Sequence, residues 1–205
     1  MPRAFAELTF SPAVRAHQDR MGSARSYEKF LTEGPQSGHL IGPAEKTFIE
    51  ARDGFYQSTV SETGWPYVQY RGGPVGFLKV LGESTLGYAD LSGNRQYISR
   101  GNLDGNDRVA MILMDYANQR RLKILGRVSF TEGEQAAASL FVEGSETQPE
   151  RAAIIKVEAL DWNCPRHIMP RYTEAELRPH LNQLGMEIAQ LKAENERLKA
   201  ELADS

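Results

Sequence analysis

"YVQYRGGPVGFLKVLGESTLGYADLSGNRQYISRGNLDGNDRVAMILMDYANQRRLKILGRVSF", residues 67–130, is the stretch whose reading decides the fold. Its first run, "YVQYR", is rich in aromatic and β-branched side chains. Period-two alternation puts Tyr67, Gln69 and Arg71 on one face and Val68 and Tyr70 on the other. "GGP" breaks that strand, "VGFLKVL" begins the next, and "GES" turns the chain into "TLGYAD". With "FYQSTV" just upstream, these runs and their short turns predict an antiparallel meander. "RVAMILMDY" is apolar on both faces and predicts a central strand. "RLKILGRVSF" alternates, with Leu122, Ile124, Val128 and Phe130 on one side and Arg121, Lys123 and Arg127 on the other.

Outward from this stretch, "RAAIIKVEALDWN" reads as a last strand, with Ile155 and Val157 on one face, and "EGEQAAASLFVEG" as a helix. Upstream, "AEKTFIEARDG" predicts a short helix ended by Gly54, and residues 11–33 one or two surface helices opened by Ser-Pro. The fold class that follows is mainly β with peripheral helices: six or seven antiparallel strands closed as a small split β-barrel. A hydrophobic fraction of 40% in 205 residues supports a real core, and a net charge of −3 weighs against nucleic acid as a partner. A single cysteine, Cys164, excludes an internal disulfide and suits a reducing cytosol. "MPRAFAELTF" has no leader-like apolar run and no stretch is long enough to span a membrane, so the expectation is a soluble cytoplasmic chain.

The C-terminal segment predicts a coiled-coil helix. Leu177, Leu181, Leu184, Ile188, Leu191, Leu198 and Leu202 are spaced alternately by four and three, with Asn195 in the one polar slot. Leu181, Ile188, Asn195 and Leu202 then occupy heptad position a, and Leu177, Leu184, Leu191 and Leu198 position d. That pattern favours a parallel two-stranded coil. Pro179 and Gly185 restrict the firm part to Leu184 onward. Three prolines in residues 165–180 exclude a continuous basic DNA-binding helix upstream of it. The domains expected are 1–44, a helical segment; 45–172, the barrel; and 173–205, the coil.

"SGNRQYISRGNL", residues 92–103, has the ingredients of an anion site. It offers a Ser-Gly turn, Asn94 and Arg95 placed at the first turn of a helix, and Arg71 projecting from the neighbouring strand. The order of motifs over residues 45–165 resembles the FMN-binding split-barrel family typified by pyridoxamine 5'-phosphate oxidase. The match runs through a strand ending in a basic residue, a Gly-Phe strand, "YAD" followed by a Gly-Asn-Arg turn, "NDRV" and "LKILGRV". The tail "DWNCPRHIMPRY" is similar to the flavin-side segment of one branch.

That resemblance implies an FMN-dependent oxidoreductase working as a homodimer, with two FMN molecules at the interface and NADH or NADPH as an electron donor. Gln69, Tyr70, Arg71 and Gly72 would flank ring and phosphate. Tyr88, Ala89 and Asp90 would present backbone to the ring edge, and Asn94, Arg95 and Gln96 would hold the phosphate, with Asn102 nearby. Arg121 and Lys123 would reach the partner's flavin, and Trp162, Asn163 and Cys164 would close over the ring from the other subunit. The segment with which the oxidase grips its substrate is replaced here by "CPRHIMPRY" and the coil, which argues against pyridoxamine phosphate. A flavin-binding redox sensor without turnover and a relative using haem or an 8-hydroxy-5-deazaflavin are the alternatives. Cys164 is either a buried small hydrophobe or a flavin neighbour. His17, His39, His167 and His180 have no ligand spacing, so no metal is expected.

Overall fold

The computed structural model describes residues 3–32, 37–162 and 164–203. Helices α1 (Arg3–Thr9), α2 (Pro12–Arg20), α3 (Ala24–Thr32) and α4 (Pro43–Glu50) precede strands β1 (Gly54–Val60), β2 (Pro66–Gly72), β3 (Lys79–Gly82) and β4 (Thr85–Leu91). Helix α5 (Ile98–Gly105) leads to β5 (Arg108–Asp115) and β6 (Arg120–Glu132). The short α6 (Glu134–Ala137), the long β7 (Pro149–Trp162) and α7 (Glu174–Ala203) follow.

The seven strands form one antiparallel sheet in the order β2-β1-β5-β6-β7-β4-β3, curled into a split barrel. The expected meander is corrected here. β1 pairs with β2 and β3 with β4, but these hairpins end at opposite edges of the sheet. The link between them explains why. Of "VGFLKVL", only residues from Lys79 onward are strand, while Phe77 and Leu78 turn down into the core. There the Phe77 ring stacks on Phe55, 5.7 Å between centroids, and Phe55 meets the edge of Tyr88.

Period-two alternation fixes which side of each strand is buried. Phe55, Gln57 and Thr59 of β1, Val109, Met111 and Leu113 of β5, Leu122 and Ile124 of β6, and Ile155 and Val157 of β7 all face inward. β5 is central, as expected, between β1 and β6. β6 and β7 slip register beside Gly126, where a Cβ would lie 2.6 Å from the Lys156 carbonyl oxygen. Only glycine lets the two backbones approach that closely.

Two helix boundaries also differ from expectation. α4 stops at Glu50, with Ala51 at its C-cap, and Gly54 instead begins β1. Gly54 is small because the Tyr70 ring lies across it, its hydroxyl 1.9 Å from where a Cβ would sit. "EGEQAAASLFVEG" contributes one helical turn, after which Leu140 drops into a small cluster with Ala89, Ala137 and Ala152.

On the outer side of the barrel, α1 covers β6 and β7 by packing Ala4 and Phe5 on Ala159 and Leu125. Beyond that cover, Tyr56, Val68 and Tyr70 stand exposed. Tyr56 and Val68, with Ala110 and Ile112, border an apolar groove of 330 Å³. α7 is capped by Thr173, whose hydroxyl accepts from the Glu176 amide at 3.2 Å while Glu176 accepts from the Thr173 amide at 2.7 Å. None of its described residues is buried.

Candidate functional site: an arginine-rich cleft at the split of the barrel

β2 is an edge strand, and β3 pairs with β4 only as far as Gly87, so the barrel wall has a gap between β2 and the end of β4. Side chains span it. On β2, alternation turns Gln69 and Arg71 inward. On β4 the inward series Leu86, Tyr88, Asp90 ends in a carboxylate that is 3% exposed. Arg71 Nη1 donates to Asp90 Oδ1 at 2.5 Å. Asp90 faces Arg151 across the β4–β7 pair, and Arg151 Nη1 donates to Asp90 Oδ2 at 2.9 Å. Arg151 also donates to Glu132 at 2.9 Å and Glu150 at 2.8 Å. Burial works against its charge, but the bonds to Glu132 and Asp90 outweigh it and hold the guanidinium pKa above its ordinary value. Glu132, bonded by Arg151 and Arg100, is held below the usual carboxylate range.

Over this floor lies a cleft of 220 Å³, walled by the turn 93–97 and the start of α5. Four guanidinium groups line it, those of Arg71, Arg95, Arg100 and Arg151, against two carboxylates, Asp90 and Glu150. The lining groups alone carry two more positive than negative charges, and Glu132 and Asp104, bonded to Arg151 and Arg100 from outside the lining, bring the wider cluster to balance. Arg71 Nε is buried and has no hydrogen-bond partner. Ser99 Oγ donates to Gln69 Oε1 at 2.8 Å and ties α5 to the edge strand. The first amides of α5, at residues 98–100, add helix N-terminal donors. Guanidinium groups and helix N-terminal amides around one cleft are groups that can bind a small anion.

The structure sorts the candidate residues into groups. Gln69, Arg71, Asp90, Asn94, Arg95 and Gln96 all line the cleft. Asn94 and Arg95 do so from a turn rather than from a helix's first turn, because α5 begins only at Ile98; Arg95 and Tyr97 both take left-handed backbone, at φ 61° and 53°. Tyr88, expected to offer only its backbone, buries its ring in the core. Its hydroxyl donates to Gln57 at 3.5 Å, and burial pushes the phenol pKa up to about 12. Ala89 packs under α6, and Asn102, on the buried face of α5, donates to Thr59 Oγ1 at 3.0 Å. Tyr70 and Gly72 lie on the outer side, where the Tyr70 ring covers both Gly54 and Gly72.

A further group stands apart from the cleft. Lys123 borders the outer apolar groove. Arg121, whose Nε is also buried without a partner, lines a 470 Å³ hollow with Arg120 and Trp162. Trp162 is locked in place: its Nε1 donates to Glu45 at 2.7 Å, and its ring meets the edge of Phe48 at 4.7 Å. It lies eleven residues beyond Arg151 on β7, roughly 36 Å along an extended strand. Cys164 is exposed, not a buried hydrophobe, and Asn163 lies outside the described residues.

Arg151, Ser99, Arg100 and Glu150 were not singled out by the sequence. A signal for Arg151 existed: period two places it on the same face of β7 as Ile155 and Val157, and a charged residue on that face requires a partner.

Residues 41–164 match the family model of pyridoxamine 5'-phosphate oxidase. The chain belongs to this family. Among solved structures it is similar to HupZ of Group A Streptococcus, at 18% identity and TM-score 0.49, covering 64% of this chain and 99% of that one. A putative pyridoxamine 5'-phosphate oxidase from Lactobacillus delbrueckii is 18% identical with TM-score 0.47, the match covering 64% of this chain and 97% of that one. An FMN-binding protein from Syntrophomonas wolfei is 12% identical with TM-score 0.47, covering 74% and 95%. No curated protein matches.

Flavin binding is what the family suggests, and the residues present fit the phosphate end of an FMN. Four guanidinium groups line the cleft, and the buried Nε of one of them, Arg71, has no hydrogen-bond partner. Among the described residues no helix is long and apolar enough to cross a membrane.

Proposed function

We propose that this chain binds FMN with its phosphate in the arginine cleft and acts as an FMN-dependent oxidoreductase on a small molecule other than pyridoxamine phosphate. The observation that carries the reading is the set of four guanidinium groups lining the cleft together with the unsatisfied Arg71 Nε. Arg71, Arg95 and the first amides of α5 would hold the phosphate, with Gln69 positioned by Ser99 on the ring side. The flavin would supply hydride and electron transfer, and the protein supplies position and electrostatics.

Arg121, Lys123, Trp162 and Cys164 lie too far along the sheet to serve the same cleft. In a homodimer formed through the exposed face of Tyr56, Val68 and Tyr70, they would serve the FMN of the second copy. NADH or NADPH is the electron donor we assign, and the cytoplasm the compartment.

The test is the visible spectrum of the purified chain, alone and after adding FMN, compared with Arg71→Ala and Arg95→Ala. Flavin bands in the parent chain that are lost in the variants, with far-ultraviolet dichroism unchanged, are expected. A colourless chain that takes up no FMN refutes the reading. Bound flavin that neither NADH nor NADPH bleaches leaves the cofactor and removes the turnover, which is the sensor alternative.

A further inference from the structure

The cleft leaves one long element unused. α7 runs for 30 residues, and its apolar residues from Leu177 to Leu198 are all exposed; Leu191 is 66% exposed and Ile188 52%. We propose that the segment Leu184–Leu202 pairs with the same segment of a second copy of this chain as a parallel, in-register, two-stranded coiled coil. This interface is separate from the exposed sheet face.

The width of the apolar stripe is the first argument. From Leu184 onward the large apolar residues lie at positions a and d, apart from Met186 at f; alanines are the other apolar residues off the seam. The flanking e positions are Gly185, Lys192 and Lys199, and the g positions Glu187, Glu194 and Glu201. A helix lying on a globular core carries a wider face, three or four residues in seven. A two-in-seven seam fits another seam of its own kind.

Charge settles the occupant and its direction. In a parallel pair each g residue meets the e residue of the next heptad on its partner, which sets Glu187 against Lys192 and Glu194 against Lys199. In an antiparallel pair g faces g and e faces e, so glutamate would meet glutamate and lysine would meet lysine. The sequence is therefore complementary to a parallel copy of itself. Within its own helix Lys199 bonds only to exposed Glu196, at 2.9 Å, a pair that competes weakly. Asn195 at position a sets the register: a slip by one heptad would bury its amide against Ile188 or Leu202, whereas in register it meets a second Asn195.

Because α7 buries none of its described residues, substitutions in it leave the barrel intact, and the full chain can be used. In a Cys164→Ser background, Asn195→Cys places a thiol at an a position and Ala193→Cys one at the outward f position. In a parallel pair the two a-position Cα atoms come within disulfide reach, about 4.4–6.8 Å. In a glutathione redox buffer the Asn195→Cys chain is expected to form a covalent dimer at least about tenfold more readily than the Ala193→Cys chain. Glu187→Lys with Glu194→Lys, added to the Asn195→Cys chain, should suppress that dimer. Mixing it with an Asn195→Cys chain carrying Lys192→Glu and Lys199→Glu should restore it as a heterodimer. Equal cross-linking at 193 and 195, no cross-linking at 195, or indifference to the charge exchange would each overturn the proposal.

Discussion

Replacing Asp90 with asparagine is expected to weaken the fold and strengthen the cleft, two effects of opposite sign from one atom. The Asp90 carboxylate is buried and holds Arg71 at 2.5 Å and Arg151 at 2.9 Å. Asparagine keeps the shape and one acceptor oxygen but removes the charge. Removing one partner of a buried ion pair costs about 3–5 kcal/mol. Here Arg151 retains Glu132 and Glu150, and the side chains of Arg71 and Arg151 are 17% and 11% exposed, so the loss should be nearer about 1–3 kcal/mol. For a chain of this size that lowers Tm by about 2–12 °C. The cleft meanwhile becomes more positive by one unit charge. An added unit charge about 6 Å from a bound anion is worth about 0.7–3 kcal/mol per anionic charge at effective dielectric constants between water and a protein surface.

The assay is thermal unfolding of Asp90→Asn and the parent chain at pH 7 in rising inorganic phosphate, with chloride holding ionic strength constant. The parent should be stabilised by phosphate, and the variant should start lower and gain more per decade of phosphate until it binds. A variant that loses stability but gains no extra response to phosphate would refute the anion-receptor reading of the cleft. A variant as stable as the parent would refute the role of Asp90 in closing the barrel.

Two other substitutions test the interior. The Tyr88 phenol is raised to about 12, so its contribution to stability is complete below pH 10 and is lost as the pH climbs through 12; the full span is about 3 kcal/mol. Tyr88→Phe should therefore flatten the alkaline fall in urea-unfolding free energy between pH 8 and 11, at a cost of about 1 kcal/mol at neutral pH from the long bond to Gln57, and an unchanged alkaline slope would contradict it. Gly126→Ala puts a methyl group 2.6 Å from the Lys156 carbonyl oxygen and should lose about 1–3 kcal/mol in chemical unfolding; Gly82→Ala, with open space around its Cβ, should lose less than about 0.5.

Much of the barrel was legible because burial follows period two. β6 and β7 carry an alternation that names the inward face, the β5 run, apolar on both faces, announced a central strand, and the turn 92–97 carries an arginine and a glycine that pointed to the cleft. What escaped was non-local. Nothing within "GGPVGFLKVL" says that β2 and β3 end on opposite edges of the sheet; that follows from Phe77 and Leu78 packing into the core, where Phe77 stacks on Phe55, 22 residues away in sequence. Gly54 looked like a helix terminator because glycine so often is one, while its actual constraint is the Tyr70 ring on the neighbouring strand. The start of α5 was misplaced because Arg95 and Tyr97 adopt left-handed backbone without a glycine to announce it. Asp90 was read for its backbone, and its carboxylate acquires a role only once β7 brings Arg151 opposite.

The position of the charges within the fold is itself an argument for what the cleft does. Elsewhere the barrel wall is held by backbone ladders, which are neutral and need no ionic help. At the split, β2 faces β4 and α5 without a ladder, and the gap is crossed by Arg71 to Asp90 and by Ser99 to Gln69. A buried ion pair is a poor way to close a wall, because desolvation consumes most of what the attraction returns and an apolar pair of similar size would hold as well or better. A pair that leaves Arg71 Nε unsatisfied is poorer still. Such an arrangement holds the barrel shut while leaving one donor unpaired, and the proposed anion would add bonds to the arginines there. The same residues that make the split the weakest seam of the barrel make it the place where binding a phosphate would contribute most to the fold.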